Sequence, residues 1–233
     1  MLTAIDEADG ERILTVRIHE PAIGAELLSA LESTLNDAER GGIENFVVEF
    51  SGGPGSVTGD FPTWPAGPVR SDMRHFARWD ETLTRMSRLK AKTFAAYHGR
   101  VGAAAVQAGL VMDLRVASAG ARLSLGSLTE GRFPGMGTYW LPKFVGLGNA
   151  RRIFLLGEDL TAQHASRLGL LDVIDDTIAE AVGATVKAMR AVTPEAACFT
   201  RRILDDCYLL EHSAAAELAK AARYKLGLPN HDD

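Results

Sequence analysis

Residues 92–126 read KTFAAYHGRVGAAAVQAGLVMDLRVASAGARLSLG, and the order of elements in this stretch decides the fold class. Thr93 to His98 is a short apolar run of the kind that forms a buried strand, and Gly99 to Gly109 is a small-residue turn that opens a helix. Two further short strands, Leu114 to Ala117 and Arg122 to Leu125, precede a glycine- and proline-rich loop, GSLTEGRFPGMG (126–137). Strands alternating with helices at this spacing describe an α/β layer structure. The glycines at the strand-to-helix junctions have a second meaning. They permit close approach, and a helix start leaves amides unpaired, so backbone N–H groups there can face a ligand.

Working outward toward the N-terminus, Phe46 to Phe50 reads as a buried strand and Arg12 to His19 alternates as a half-buried one. Between them Ile23, Leu27, Leu28, Leu31 and Leu35 recur at helical spacing over Ile23 to Ala38, and Gly41-Gly42 stop the helix. The segment SGGPGSVTGDFPTWPAGP (51–68) is too rich in glycine and proline for regular structure, and a loop of that length suggests function. Toward the C-terminus, Gly146 and Gly148 precede a helix from Asn149 to Leu156. Thr161 caps another that runs to Leu168, and Leu171 to Ile174 is a short strand. Beyond Asp175 the pattern is helical, with Thr193-Pro194 starting one helix and an alanine-rich helix over Ser213 to Lys225. The expected organisation is an α/β core over residues 1–174 with a C-terminal helical region over 175–233, and no internal repeat is visible.

The chain has 233 residues, 46% of them apolar and 24% charged, with a formal charge of −5. That composition excludes disorder as the dominant state and makes nucleic acid a poor partner, since phosphate neutralisation needs a basic surface. The acidic start MLTAIDEADGER lacks the basic and apolar regions of a signal peptide, and no apolar run approaches a membrane span. Cys198 and Cys207 fall on opposite faces of one expected helix and cannot pair within it. A cytoplasmic, reducing setting follows as the expectation.

The charge is segregated. On the helix expected over residues 70–89, Phe76, Trp79, Leu83 and Met86 share one face and Arg70, Arg74, Arg78, Arg85 and Arg88 the other. Arg70 to Lys92 holds five arginines and two lysines against three carboxylates, a local +4. Such a face has three readings: an anionic ligand, an acidic partner, or plain solvent.

Common catalytic motifs fit poorly. Gly146-Leu147-Gly148 lacks the third glycine of a dinucleotide fingerprint. Tyr139 and Lys143 have the spacing of short-chain dehydrogenases, but Pro142 between them predicts that no helix joins them. No nucleophile elbow occurs, and the six histidines are scattered, which gives no support to a metal site. What remains is a pair of glycine-rich turns whose amides could hold an oxyanion, an effect worth ~3–4 kcal/mol for one donor.

Residues 92–126 together with GRFPGMG (131–137), LPKFVGLGNARRIFLLGEDLTAQHASRLGLLDVI (141–174) and FSGGPGSVTGDF (50–61) resemble the crotonase family of enoyl-CoA hydratases and isomerases. The resemblance implies a crotonase-like ββα superhelix with a C-terminal helical region, a homotrimer or hexamer, and an acyl-CoA or acyl-carrier-protein thioester as substrate. Coenzyme A then enters with the substrate, with no separate cofactor and no metal. It also implies two oxyanion amides, at Gly59 and Ala104, where Ala103-Ala104-Ala105 replaces the usual glycine triplet. The usual glutamates align with Gln107 and Ser127, neither a general base at neutral pH. Glu130 is the best substitute carboxylate, set against a plain loop acid. Thr58, Asp60, Ala103, Gly135, Met136 and His75 are expected to contact substrate, with Tyr139 a secondary catalytic candidate. His98 stands where the family has a structural asparagine. The altered glutamates suggest a specialised biosynthetic dehydratase, isomerase or decarboxylase, in polyketide or other secondary metabolism, or alternatively an accessory subunit that kept the fold without the chemistry. Relative to the family, the chain looks short at its C-terminus.

Overall fold

The computed structural model describes residues 1–8, 10–53, 56–61, 70–126, 135–206 and 221. Five strands run parallel: β2 (Glu11–Ile18), β3 (Asn45–Ser51), β5 (Lys92–His98), β7 (Leu114–Ser118) and β10 (Val173–Asp175). With β1 (Leu2–Ala8), antiparallel to β2, they form a six-stranded sheet in the order β1-β2-β3-β5-β7-β10. A second sheet is built from two-residue strands: β4 (Val57–Thr58), β6 (Arg100–Val101), β8 (Arg122–Leu123) and β9 (Leu160–Thr161).

The connectivity repeats. A long strand enters the large sheet, the chain turns into a short strand of the small sheet, and a helix brings it back: β3, β4 and α2 (Arg70–Arg88); β5, β6 and α3 (Ala103–Leu110); β7, β8 and α4 (Gly137–Leu156). Backbone bonds stack successive turns, with Gly52 N–H donating to His98 O at 3.0 Å and Arg122 N–H to Gly99 O at 2.9 Å. These turns form the ββα superhelix. No repeat is visible in the sequence because each copy faces different neighbours. The α3 copy is buried at all eight positions, whereas α2 is amphipathic.

The core lies between the sheets and α1 (Ala25–Arg40), α2, α3 and α4, around Leu14, Phe46, Phe50, Trp79, Leu141 and Ile153. On the other face of the large sheet, α6 (Ile178–Ala188) packs Ala181 against Ala96 and Val116, and Val186 against Val47 and Phe94. The first helix after β10 therefore covers the sheet itself. α7 (Pro194–Asp206) docks through Arg201, which is 5% exposed. Its guanidinium meets Asp113 Oδ2 at 2.5 Å, Thr93 Oγ1 at 2.9 Å, and the carbonyls of Ser87 and Leu89 at the end of α2 at 2.7 and 2.6 Å.

Most elements match their expected places; the short strands β6 and β9 were not expected, and four further differences stand out. Leu2–Ala8 is a strand whose polar residues hide it from a hydrophobic pattern, because it is an edge strand exposed along most of its length. The loop 51–68 contains the two-residue β4. The strand expected at Leu171–Ile174 lies at Val173–Asp175. The helix that Pro142 was expected to forbid exists: α4 runs through Pro142 and breaks instead at Gly146, which takes the left-handed φ of 77°. Pro142 follows only five residues of helix, so a single carbonyl, that of Thr138, loses its donor. Lys143 thus stands one turn from Tyr139, its Nζ 4.0 Å from the tyrosine ring centroid. Ser127, Glu130, Cys207 and the helix expected over Ser213 to Lys225, apart from residue 221, lie outside the described residues.

Candidate active site

The start of α3 is assembled by backbone contacts with residues 58–60. Gly102 N–H donates to Thr58 O at 2.8 Å, and Ala105 N–H to Gly59 O at 2.7 Å. Asp60 Oδ1 accepts from Ala103 N–H at 3.3 Å and from Phe61 N–H at 2.8 Å. Two of the helix's orphan donors are therefore capped by a distant loop rather than by a neighbouring side chain. Glycine is required on both sides of this junction. A Cβ on Gly102 would sit 2.4 Å from Asp60 Cβ, and one on Gly59, whose φ is +68°, would sit 2.7 Å from Ala105 Cβ.

Between the capped amides of Ala103 and Ala105, the Ala104 N–H has no acceptor among the described residues. It lies at the positive end of the helix dipole, within a wholly buried helix, where a hydrogen bond to developing negative charge is strongest. The Gly59 N–H is differently placed. It donates to Glu20 O at 3.0 Å, as Asp60 N–H does to Pro21 O at 2.9 Å, so the loop's amides tie it to the chain after β2. Of the two amides the resemblance pairs, Ala104 alone is unengaged. Tyr97, fully buried under α3, donates its hydroxyl to Ala105 O at 3.3 Å, and burial pushes its ionisation up.

Aromatic residues of α2 pack against Phe61, the neighbour of Asp60. Phe61 packs on Phe76 at 5.1 Å and edge-on to Trp79 at 6.3 Å, and His75, 8% exposed, lies against Phe76. Trp79 Nε1 donates to Gln107 Oε1 at 3.2 Å, and Gln107 Nε2 reaches within 3.3 Å of where a Gly137 Cβ would be. Gln107 thus joins α2, α3 and α4 as a buried polar tie. Phe61 was missed at the sequence level because it sits in a loop with no periodicity; only its neighbours across the fold show its use.

Among the other expected contacts, Thr58 is fully buried and offers its carbonyl to Gly102, while Asp60 uses one carboxylate oxygen as a helix cap. Gly135 and Met136 form the turn that starts α4, their carbonyls accepting from Thr138, Tyr139 and Trp140. Tyr139 is 37% exposed and edges against Trp140; Lys143, held between the two rings, donates to Asp205 O at 2.6 Å. Of the arginine face, Arg78 forms a two-pronged pair with Glu32 at 3.0 and 2.8 Å, and Arg85 meets Glu39 and Asn36 at 3.0 and 2.8 Å. The hydrogen bonds from Arg78, opposed by partial burial, hold the Glu32 carboxyl below its ordinary range. These two arginines bind α2 to α1, a use outside all three expected readings. Among the described residues, no three His, Cys, Asp or Glu side chains gather as a metal site, and no helix is long and apolar enough to cross a membrane.

The repeated ββα superhelix is the fold of the crotonase class, shared with solved enoyl-CoA hydratases. The chain belongs to the enoyl-CoA hydratase/isomerase family, whose model matches residues 9–221. An enoyl-CoA hydratase of Amycolatopsis orientalis is 28% identical over 217 residues, covering 92% of both chains. The enoyl-CoA hydratase structure from Thermoplasma volcanium superposes with a TM-score of 0.84 at 21% identity, covering 97% of this chain and 92% of that one. A Thermobifida fusca protein solved in complex with acetoacetyl-CoA superposes at 0.78 with 22% identity, covering 96% and 94%.

Proposed function

We propose that the protein acts on an acyl thioester, carried on coenzyme A or on a carrier protein, by stabilising its enolate with the Ala104 N–H. The unengaged amide between two capped ones carries this reading, and family membership supports it. Removing a proton beside the thioester carbonyl places charge on its oxygen, where the α3 dipole and the Ala104 donor favour it. Gly59 adds a second donor if the thioester oxygen displaces the Glu20 carbonyl. Returning the proton at another carbon gives isomerisation; expelling a β-hydroxyl gives dehydration, reversible as hydration; loss of carbon dioxide generates the same enolate. Glu130 is the proposed acid/base, in a cytoplasmic homotrimer or hexamer serving specialised biosynthesis.

Ala104→Pro tests the donor: in the first helical turn it removes an N–H that makes no intrahelical bond, although its ring also adds bulk at a buried position and constrains Ala103, so the fold of the variant is checked alongside. With helix content unchanged by circular dichroism, turnover should fall about 10²–10³-fold. The carbonyl stretch of bound acetoacetyl-CoA should also lose its shift to lower frequency. An unshifted carbonyl in the unmodified protein overturns the reading. Glu130→Gln should cut turnover by about 10²–10⁴-fold with binding retained.

One observation favours the alternative, an accessory subunit that binds the thioester or a partner enzyme without chemistry. At position 107, where the family's base would stand, a buried glutamine serves as a packing tie to Trp79. Tight acyl-CoA binding without turnover, insensitive to Glu130→Gln, would establish that role.

A further inference from the structure

Asp60, an expected substrate contact, turns one carboxylate oxygen toward the protein's own backbone. Oδ1 accepts from Phe61 N–H at 2.8 Å and from Ala103 N–H at 3.3 Å. The backbone of Asp60 is fixed as well. Its N–H donates to Pro21 O at 2.9 Å, its carbonyl accepts from Ile23 N–H at 2.8 Å, and Ala22 and Asp60 pair as an isolated bridge. Ile23 is fully buried, so the segment that holds Asp60 is itself anchored in the core. On its other side Asp60 lies against Gly102, where a Cβ would come within 2.4 Å of the aspartate Cβ.

These contacts act on consecutive amides. Asp60 Oδ1 takes Ala103 N–H and Gly59 O takes Ala105 N–H, which holds the peptide between them in place. Without the aspartate oxygen the first turn of α3 would present a second open donor beside Ala104, and its start would lose a tie to the core. The charge of Asp60 has the opposite effect from its position. A carboxylate raises the energy of a nearby anion, so it works against an enolate forming at the neighbouring amide. What assists the reaction is the place of the acceptor oxygen.

We propose that Asp60 is a positioning residue of the reaction rather than a substrate contact: through Oδ1 it occupies Ala103 N–H and fixes the α3 start, so that Ala104 N–H is the amide of this turn that meets the thioester oxygen. The inference rests on the reading of Ala104 as the oxyanion donor and adds the residue that aims it.

Three variants separate position from charge. Asp60→Asn keeps an acceptor oxygen without the charge, Asp60→Glu keeps the charge and moves the oxygen by one methylene, and Asp60→Ala removes both. Exchange of the α-protons of butyryl-CoA for deuterium measures enolate formation whatever step follows it, and the carbonyl stretch of bound acetoacetyl-CoA reports the hydrogen bond itself. Asp60→Ala and Asp60→Glu should slow exchange about 10–100-fold through kcat, with KM within about threefold, and should lose the carbonyl shift. Asp60→Asn should recover exchange by about fivefold or more over Asp60→Glu, with the shift restored. Circular dichroism melts identify the folded variants, and if Asp60→Ala does not fold the Asn and Glu variants decide. Exchange in Asp60→Asn no faster than in Asp60→Glu overturns the assignment, as does a carbonyl shift that persists in Asp60→Glu. An unshifted carbonyl in the unmodified protein instead overturns the reading of Ala104, and this inference falls with it.

Discussion

α2 holds five arginines in nineteen residues; α3 holds no charge in eight. By sequence, α2 is the obvious place to look for an anionic ligand. In the folded protein two of its arginines are engaged with α1, whereas the alanine-rich helix presents an unengaged donor at the centre of the fold. The difference lies in where polarity resides. Side-chain charge on a partly exposed face finds partners on whatever element packs beside it. Backbone polarity at a helix start can be left open only where capping is selective, and here Asp60 and Gly59 cap the amides on either side of Ala104. Arg201 extends the same lesson, since its charge is buried to dock α7.

If charge builds this molecule and backbone binds its ligand, the two kinds of substitution should separate cleanly. Arg201→Ala is the severest test on the building side. It leaves Asp113 buried without its cation and strips the donors from Ser87 and Leu89, so urea denaturation should show a loss of about 3–5 kcal/mol. A loss under 1 kcal/mol would mean the network is incidental. On the binding side, Gly102→Ala forces a methyl into Asp60 and shifts the α3 start. Stability should fall by about 1–3 kcal/mol, and acyl-thioester turnover by about 100-fold, through displacement of the Ala104 donor.

Arg78→Ala sharpens the contrast. Its pair with Glu32 is partly exposed, so the cost should be about 0.2–1 kcal/mol, and acetoacetyl-CoA binding should be unaffected. A large loss of affinity would return the arginine face to the ligand. The smallest effect is expected at Asp205, beside Lys143 and Arg201. Burial pushes its carboxyl up to about 6, Lys143 and Arg201 partly offsetting and Asp206 and Asp113 reinforcing the rise. A raised acid favours the native state when protonated, so its contribution is full below the ordinary value of 3.8 and is lost as pH rises through about 6. Asp205→Asn should therefore raise Tm by on the order of 1–2 °C near pH 7.5, with the gain shrinking toward pH 4.5.

The fold was legible because each long strand and amphipathic helix carries its own period, and because the glycine junctions fall between them. The site was legible only as a neighbourhood. Ala104 could be picked out as an amide at a helix start, yet nothing in GAAAVQAG distinguishes its N–H from those of Ala103 and Ala105. That distinction requires Asp60 and Gly59, more than forty positions away, to arrive at hydrogen-bonding distance. The same holds for Gln107, whose polarity suggests chemistry until Trp79 is seen to occupy it. Pro142 misled in the opposite direction, since a proline's cost depends on how far into the helix it falls, and the start of α4 is set by the turn at Gly135 and Met136.

By itself, then, the amino-acid sequence determined the alternation of strands and helices, the buried character of α3 and the absence of a titratable group at position 107, because these depend on local period and side-chain chemistry. Tertiary structure alone decided which amide stays open, which carboxylate caps its neighbour and which arginines are neutralised. Hydrogen bonds and ion pairs between distant segments act over about 3 Å, and only the folded chain brings their partners that close.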